Sequence, residues 1–236
     1  MIAVIDSRMP QAASRTLERL GFTLCPLPPF PLLDTPVSAH PDMLLFFGAR
    51  QIYCAKDYGK LAMHPLTLLS RHTHRAVVEV QAPLGKSYPY DIPLNAAPIG
   101  ERLICYPKHT ASEILAEYPE SIIPVRQGYS KCATLPIGKR ALITEDPSIA
   151  SVAQTRGLEV LRVSQNAVSL PGYPTGFLGG CASFSPYCDY DSILFCGDLD
   201  SHPDANDIRA FCAQHHKKIM SLGDFSLTDV GTIFLL

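Results

Sequence analysis

Two cysteines stand just ahead of apolar strand patterns, Cys132 in Cys132-Ala133-Thr134-Leu135 and Cys181 in Gly179-Gly180-Cys181-Ala182-Ser183. A cysteine acts as a nucleophile only through its thiolate, and a histidine within hydrogen-bond reach lowers the thiol pKa enough to form one. His40, in His40-Pro41-Asp42, is the histidine that could act as this general base or acid. Asp42 and Asp229 supply carboxylates, which pair well with guanidinium or ammonium groups. On this reading Cys181 or Cys132 is the nucleophile, His40 moves the proton, and Asp42, Asp229 and Asn95 hold a small cationic substrate. The opposing reading makes both cysteines inert fillers and has the aspartates capping strand ends or binding backbone amides. Two aspartates aimed at one point imply a cation or a proton between them, because like charges close together cost energy.

The elements that must position these residues repeat along the chain. Pro98-Ile99-Gly100-Glu101-Arg102-Leu103-Ile104 returns 38 residues later as Pro136-Ile137-Gly138-Lys139-Arg140-Ala141-Leu142. Each copy is a tight glycine turn entering an apolar strand. A helix follows: Thr110-x-x-Glu113 reads as a capping box, and Asp146-Pro147 as an N-cap before a first-turn proline. Residues 121–125 and 158–163 then supply a third strand. A further unit starts at Cys181 and runs through residues 193–196 into a helix from Ser201, closing at 219–222. Another starts at residues 42–47 and closes at 76–80. Residues 229–236 join the N-terminal strand, helix and strand as the fifth. The expected architecture is therefore α/β, a single domain over residues 1–236 built from strand–strand–helix–strand repeats. Pairing of its N- and C-terminal strands closes the ring and removes exposed edges. The equivalent first strands then converge, so Asp42, a residue near Asn95, Cys132, Cys181 and Asp229 face one another. Aligning the two Pro-Ile-Gly turns puts Leu94, in place of Asn95, opposite Cys132, and a slip of one residue reverses the face.

This pattern resembles the pentein fold, a five-bladed α/β propeller shared by guanidine-modifying enzymes and by a non-enzymatic ribosome anti-association factor. His40-Pro41-Asp42 is similar to that family's His-x-Asp, and Gly179-Gly180-Cys181-Ala182-Ser183 to the glycine-rich approach to its nucleophilic cysteine. The resemblance implies a cysteine-dependent hydrolase or transferase acting on a guanidino or amine-type substrate without metal or other cofactor. Its non-enzymatic branch implies instead a binding module that does no chemistry.

Composition narrows the classes further. The hydrophobic fraction of 47% is ample for a packed core, and a net charge of -2 offers no surplus for neutralising phosphates, which disfavours nucleic acid as a partner. No apolar run approaches the length of a membrane span and the N-terminus lacks a signal-peptide pattern, so a cytoplasmic protein with reduced thiols is expected. Cys25, Cys54, Cys105, Cys196 and Cys212 fall within apolar patterns, whereas Cys188 sits in a polar insertion. His202 belongs to a helix start capped by Ser201, with Asp204 in its first turn. His72-x-His74 and His215-His216 read as solvated surface, since no partner stands at metal-ligand spacing. There is no P-loop, G-x-G-x-x-G, H-E-x-x-H or G-x-S-x-G, which removes kinase, dinucleotide, zinc-peptidase and serine-hydrolase readings.

Overall fold

Two of the repeats open with short apolar strands joined by a turn that most residues avoid. Gly100 (φ 58°) and Gly138 (φ 120°) make that turn in two units. The computed structural model describes residues 1–188 and 190–236. It begins with β1 (Ile2–Asp6), α1 (Gln11–Arg19) and β2 (Thr23–Leu27), then α2 (Pro41–Leu44), β3 (Leu45–Phe47), β4 (Ile52–Cys54), α3 (Met63–Thr73) and β5 (Val77–Glu79). Next come β6 (Ala97–Ile99), β7 (Arg102–Cys105), α4 (Ser112–Leu115), β8 (Ile122–Pro124), β9 (Leu135–Pro136), β10 (Ala141–Thr144), α5 (Pro147–Thr155) and β11 (Glu159–Arg162). The chain finishes with β12 (Ser183–Phe184), β13 (Ser192–Phe195), α6 (Ala205–Gln214), β14 (Lys218–Ser221) and β15 (Ile233–Leu235).

In three units the first strand runs antiparallel to the second, and a helix returns the chain so that the third lies parallel to it. These are β3-β4-β5, β6-β7-β8 and β9-β10-β11. The terminal strands pair as expected. β15 runs antiparallel to β1 with Ala3 opposite Leu235, and Ile2 and Leu236 exchange backbone hydrogen bonds of 2.7 and 2.8 Å. β1 pairs in turn with β2, parallel, through α1.

The fourth unit departs from the repeat. β12 lies parallel to β15, Ser183 opposite Ile233, and touches β13 only through the single bridge Ala182–Phe195. Five sheets result among the described residues, one of four strands (β12-β15-β1-β2), three of three and one of two (β13-β14). In sequence, a polar stretch starting at Ser185 stands where two other units carry their Pro-Ile-Gly turn.

Helix starts match the sequence signals in part. The Asp146 side chain accepts from Ser148 N and Ile149 N with Pro147 in the first turn. Thr110 makes no capping box: its hydroxyl donates to Tyr106 O, α4 starts two residues later, and Glu113 accepts from Gln81 N in a neighbouring unit. Ser201 caps nothing either, because its hydroxyl donates to Asp198 O and Asp198 caps a short 3-10 turn. The helix α6 has no side-chain cap: His202 Nδ1 accepts from Asp204 N at 3.0 Å just before it, and the Asp204 carboxylate serves Ser164 N.

The helices lay narrow apolar faces on the sheets, α1 through Ala13 and Leu17 and α6 through Ile208 and Cys212. Leu17 and Ile208 each contribute about 1.5–3 kcal/mol on burial. Cys25, Cys54, Cys105, Cys196 and Cys212 are buried and free, and Cys188 is exposed. Burial pushes the thiols of Cys25, Cys54, Cys196 and Cys212 up to about 12, so they act as small hydrophobes. Among the described residues no helix is long and apolar enough to cross a membrane.

Candidate functional site

The residues expected at the starts of the inner strands stand on tight turns just before them. Pro41 fixes the first position of α2, and Asp42 N then donates to Gly231 O at 3.0 Å. Ala133 N reaches back to Tyr129 O and Thr134 N to Lys131 O, coiling the chain before β9. Asn95 N closes a turn on Ile92 O, and Cys181 N one on Phe177 O. Consecutive residues of a turn point in different directions, so Lys131 can enter the centre together with Cys132.

Asn95 ties these turns together. Its Oδ1 accepts from Lys131 N (2.7 Å) and Cys132 N (3.3 Å), while Nδ2 donates to Cys132 Sγ (3.0 Å) and Asp42 O (3.3 Å). Of the two registers open from sequence, Asn95 is therefore the polar one and Leu94 packs in the apolar core. Cys132 Sγ donates to Asp42 Oδ2 at 3.2 Å, and Thr232 Oγ1 lies 2.9 Å from the same oxygen. Lys131, 1% exposed, donates from Nζ to Thr232 Oγ1 (2.9 Å) and to Gly179 O (3.4 Å). The Phe184 ring stands 5.4 Å from that ammonium. Burial pushes Asp42 up and Lys131 down, and their opposite charges partly restore both. The cation implied by the aspartates is thus supplied by the chain itself.

Neither cysteine is set up as a thiolate. Burial raises the Cys132 thiol well above its ordinary value, and the Asp42 and Asp229 charges raise it further. Cys181 Sγ donates to Leu178 O at 3.2 Å, and its thiol is raised by burial first and then by Asp229. Among the described residues neither sulfur hydrogen-bonds a histidine. His40 lies instead between two aspartates, Nδ1 3.8 Å from Asp229 and Nε2 3.9 Å from Asp6. Desolvation lowers its pKa despite both charges. Arg8 covers Asp6 with a two-pronged contact and reaches Thr35 O and Pro36 O in the proline-rich loop. Asp229 accepts from Phe177 N and Gly231 N, both at 2.9 Å, the amide-binding role of the opposing reading.

Gly179 and Gly180 serve close approach by the protein, not by a ligand. A Cβ at Gly180 would collide with the Asp229 carboxylate, and one at Gly179 with the carbonyls of Lys131, Cys132 and Thr134. Above the cluster only about 10 Å³ is empty, a chamber walled by Asp42, Lys131, Phe46, Phe184 and Phe234. Such a space suits a single water molecule. Phe47, Pro98 and Phe184 separate it from an open cleft of about 540 Å³, formed where the turns at Gly48, Gly100 and Gly138 meet residues 185–188.

A sequence family described as a family of unknown function, DUF6873, matches residues 4–234. The chain belongs to that family. No curated protein sequence matches the DUF6873 chain. Among solved structures, it is similar to DDAH from Pseudomonas aeruginosa, a mutant complexed with citrulline, at 8% identity and a TM-score of 0.52. Two dimethylarginine dimethylaminohydrolase adducts, with 4-chloro-2-hydroxymethylpyridine and with S-methyl-L-thiocitrulline, align at 9% and 8% identity with TM-scores of 0.50 and 0.54. Each alignment covers 93% of this chain and 91% of the other. The DUF6873 chain therefore has the mixed α/β pentein-type fold, as its repeats and motifs suggested.

Sequence reasoning missed Lys131 and Glu145. Glu145 is 7% exposed, accepts from Leu178 N at 3.2 Å, and leaves Oε2 without a partner. Burial pushes its pKa from 4.5 up to about 8. The folded protein thus holds this proton more tightly than the unfolded chain does. Its stabilising effect is complete below about pH 4.5 and lost as pH rises through about 8. In urea titrations, Glu145→Gln is expected to reduce the loss of stability between pH 5 and pH 9 by at least about 2 kcal/mol. An unchanged pH slope would remove Glu145 as its source.

Proposed function

We propose that the DUF6873 chain is a non-catalytic binding module of pentein fold, one domain over residues 1–236 with five units about a shared centre. Its ligand is a small molecule held in the cleft above that centre. The observation that carries this reading is Lys131: its ammonium occupies the middle of the polar cluster, hydrogen-bonded to Thr232 and Gly179. A cationic substrate would have to displace a covalently attached competitor from a space of about 10 Å³. The cleft, by contrast, falls in the range of ligand sites, roughly 300–1,000 Å³.

The competing reading, a cysteine-dependent hydrolase or transferase, draws on the fold and on the Cys132–Asp42 contact. That contact works against it, since a carboxylate accepting the S–H bond opposes thiolate formation. Thiol alkylation separates the two. Native protein treated with iodoacetamide at about pH 7, below the ordinary thiol pKa near 8.5, is expected to be modified at Cys188 alone. Rapid modification of Cys132 or Cys181 would overturn the binding-module reading and justify screening guanidino compounds for turnover.

A further inference from the structure

Apart from the central cluster and Glu145, a further buried carboxylate lacks compensation. Asp91 is 2% exposed; Oδ2 accepts from Tyr129 Oη at 2.7 Å, and Oδ1 has no partner. The charged group that acts on it is Asp34, of like sign, which raises its pKa in the same direction as burial. Asp34 itself accepts from Tyr173 Oη at 2.9 Å. Aromatic rings gather around this pair. Tyr88 packs on Tyr129 with centroids 5.7 Å apart, and Tyr129 on Phe177 at 5.9 Å. Tyr88 and Tyr173 are 48% and 37% exposed. None of these five polar residues lines the cleft above the centre.

An orphaned carboxylate oxygen, a second acid and π-faces together match what an organic cation needs, since rings and carboxylate both attract positive charge. The geometry also distinguishes between cations. Asp91 Oδ2 already accepts from Tyr129, which weakens the two-oxygen fork that a guanidinium grips, whereas an ammonium needs only the free oxygen. We propose that Asp91, Asp34, Tyr88, Tyr129 and Tyr173 form a second ligand site, which takes the alkylammonium end of a small molecule.

The test is titration of the 236-residue protein with methylammonium chloride at constant ionic strength, followed by tyrosine fluorescence in a chain with no tryptophan. Saturable binding is expected in the millimolar range, as one desolvated cation–π and ion-pair contact allows, with guanidinium chloride at least about threefold weaker. Asp91→Asn should weaken binding about tenfold or more and Tyr88→Ala about threefold. The exposed Tyr88→Ala variant decides the matter should Asp91→Asn fail to fold. Absence of saturation up to ~100 mM, a concentration that would fill a millimolar site, or affinity unchanged in both variants, overturns the site. Guanidinium binding as tightly as methylammonium overturns the ammonium assignment.

Discussion

Lys131→Met is expected to destabilise the protein by about 3–5 kcal/mol, the usual cost of leaving a buried charge without the opposite charge that offsets it, here bridged to it through Thr232. The loss arises less from the hydrogen bonds of Lys131 than from Asp42, which would keep its charge with only Thr232 and Cys132 as partners and Oδ1 bare. Adding Asp42→Asn removes that charge, and the side-chain oxygen of the new asparagine still accepts from Thr232 and Cys132. The double variant should therefore recover most of the loss, giving a coupling well outside additivity. Urea denaturation of the four proteins measures it. A neutral or stabilising Lys131→Met would mean that lysine and aspartate are both uncharged in the fold, and the internal-cation argument would fall with that result.

Deleting residues 232–236 is expected to abolish cooperative unfolding altogether. The deletion takes β15 from between β1 and β12, so two strands lose their partner at once. It also removes Thr232, the hydroxyl that joins Lys131 to Asp42. Phe234 goes as well, leaving a hole beside Phe47, whose ring lies 4.7 Å away, and beside Phe184. Losing one large buried aromatic alone costs about 3–5 kcal/mol, comparable to the whole stability of many domains. Circular dichroism and a thermal melt check this. A sharp transition near that of the full chain would show that the terminal pairing is dispensable.

The repeat was legible because its turn chemistry is local. Pro-Ile-Gly at residues 98–100 and 136–138 announces two hairpins, and Asp146-Pro147 announces α5 where it forms. Asp42, Asn95, Cys132 and Asp229 could be named because equivalent positions in repeats converge. Lys131 could not, since a lysine beside a cysteine in a turn looks like surface, and only the packing of other units over it buries its ammonium. Its trace in the sequence is the charge problem of Asp42 and Asp229, which asks for a cation without saying which. His40 was paired with a cysteine on motif likeness, yet Gly231 packs its backbone against the imidazole, where a Cβ would collide with the ring, and Asp229 holds one side of it. The capping box at Thr110 failed because Glu113 bonds across to Gln81, a contact between units that no local pattern encodes.

β12 in the terminal sheet also bears on how the chain reaches its structure. Three sheets close on strands near in sequence, each complete once its helix has turned back, so they can assemble as the polypeptide lengthens. The sheet that contains β1 cannot. Its first strand has β2 beside it early, but its other edge stays open until β15 arrives, and β12 has only the single bridge Ala182–Phe195 to β13 until the same moment. One late event therefore seals two edges, and any delay in it leaves hydrophobic strands from opposite ends of the chain open to neighbouring molecules. The order in which residues become available is therefore expected to bear on how long these edges stay unpaired.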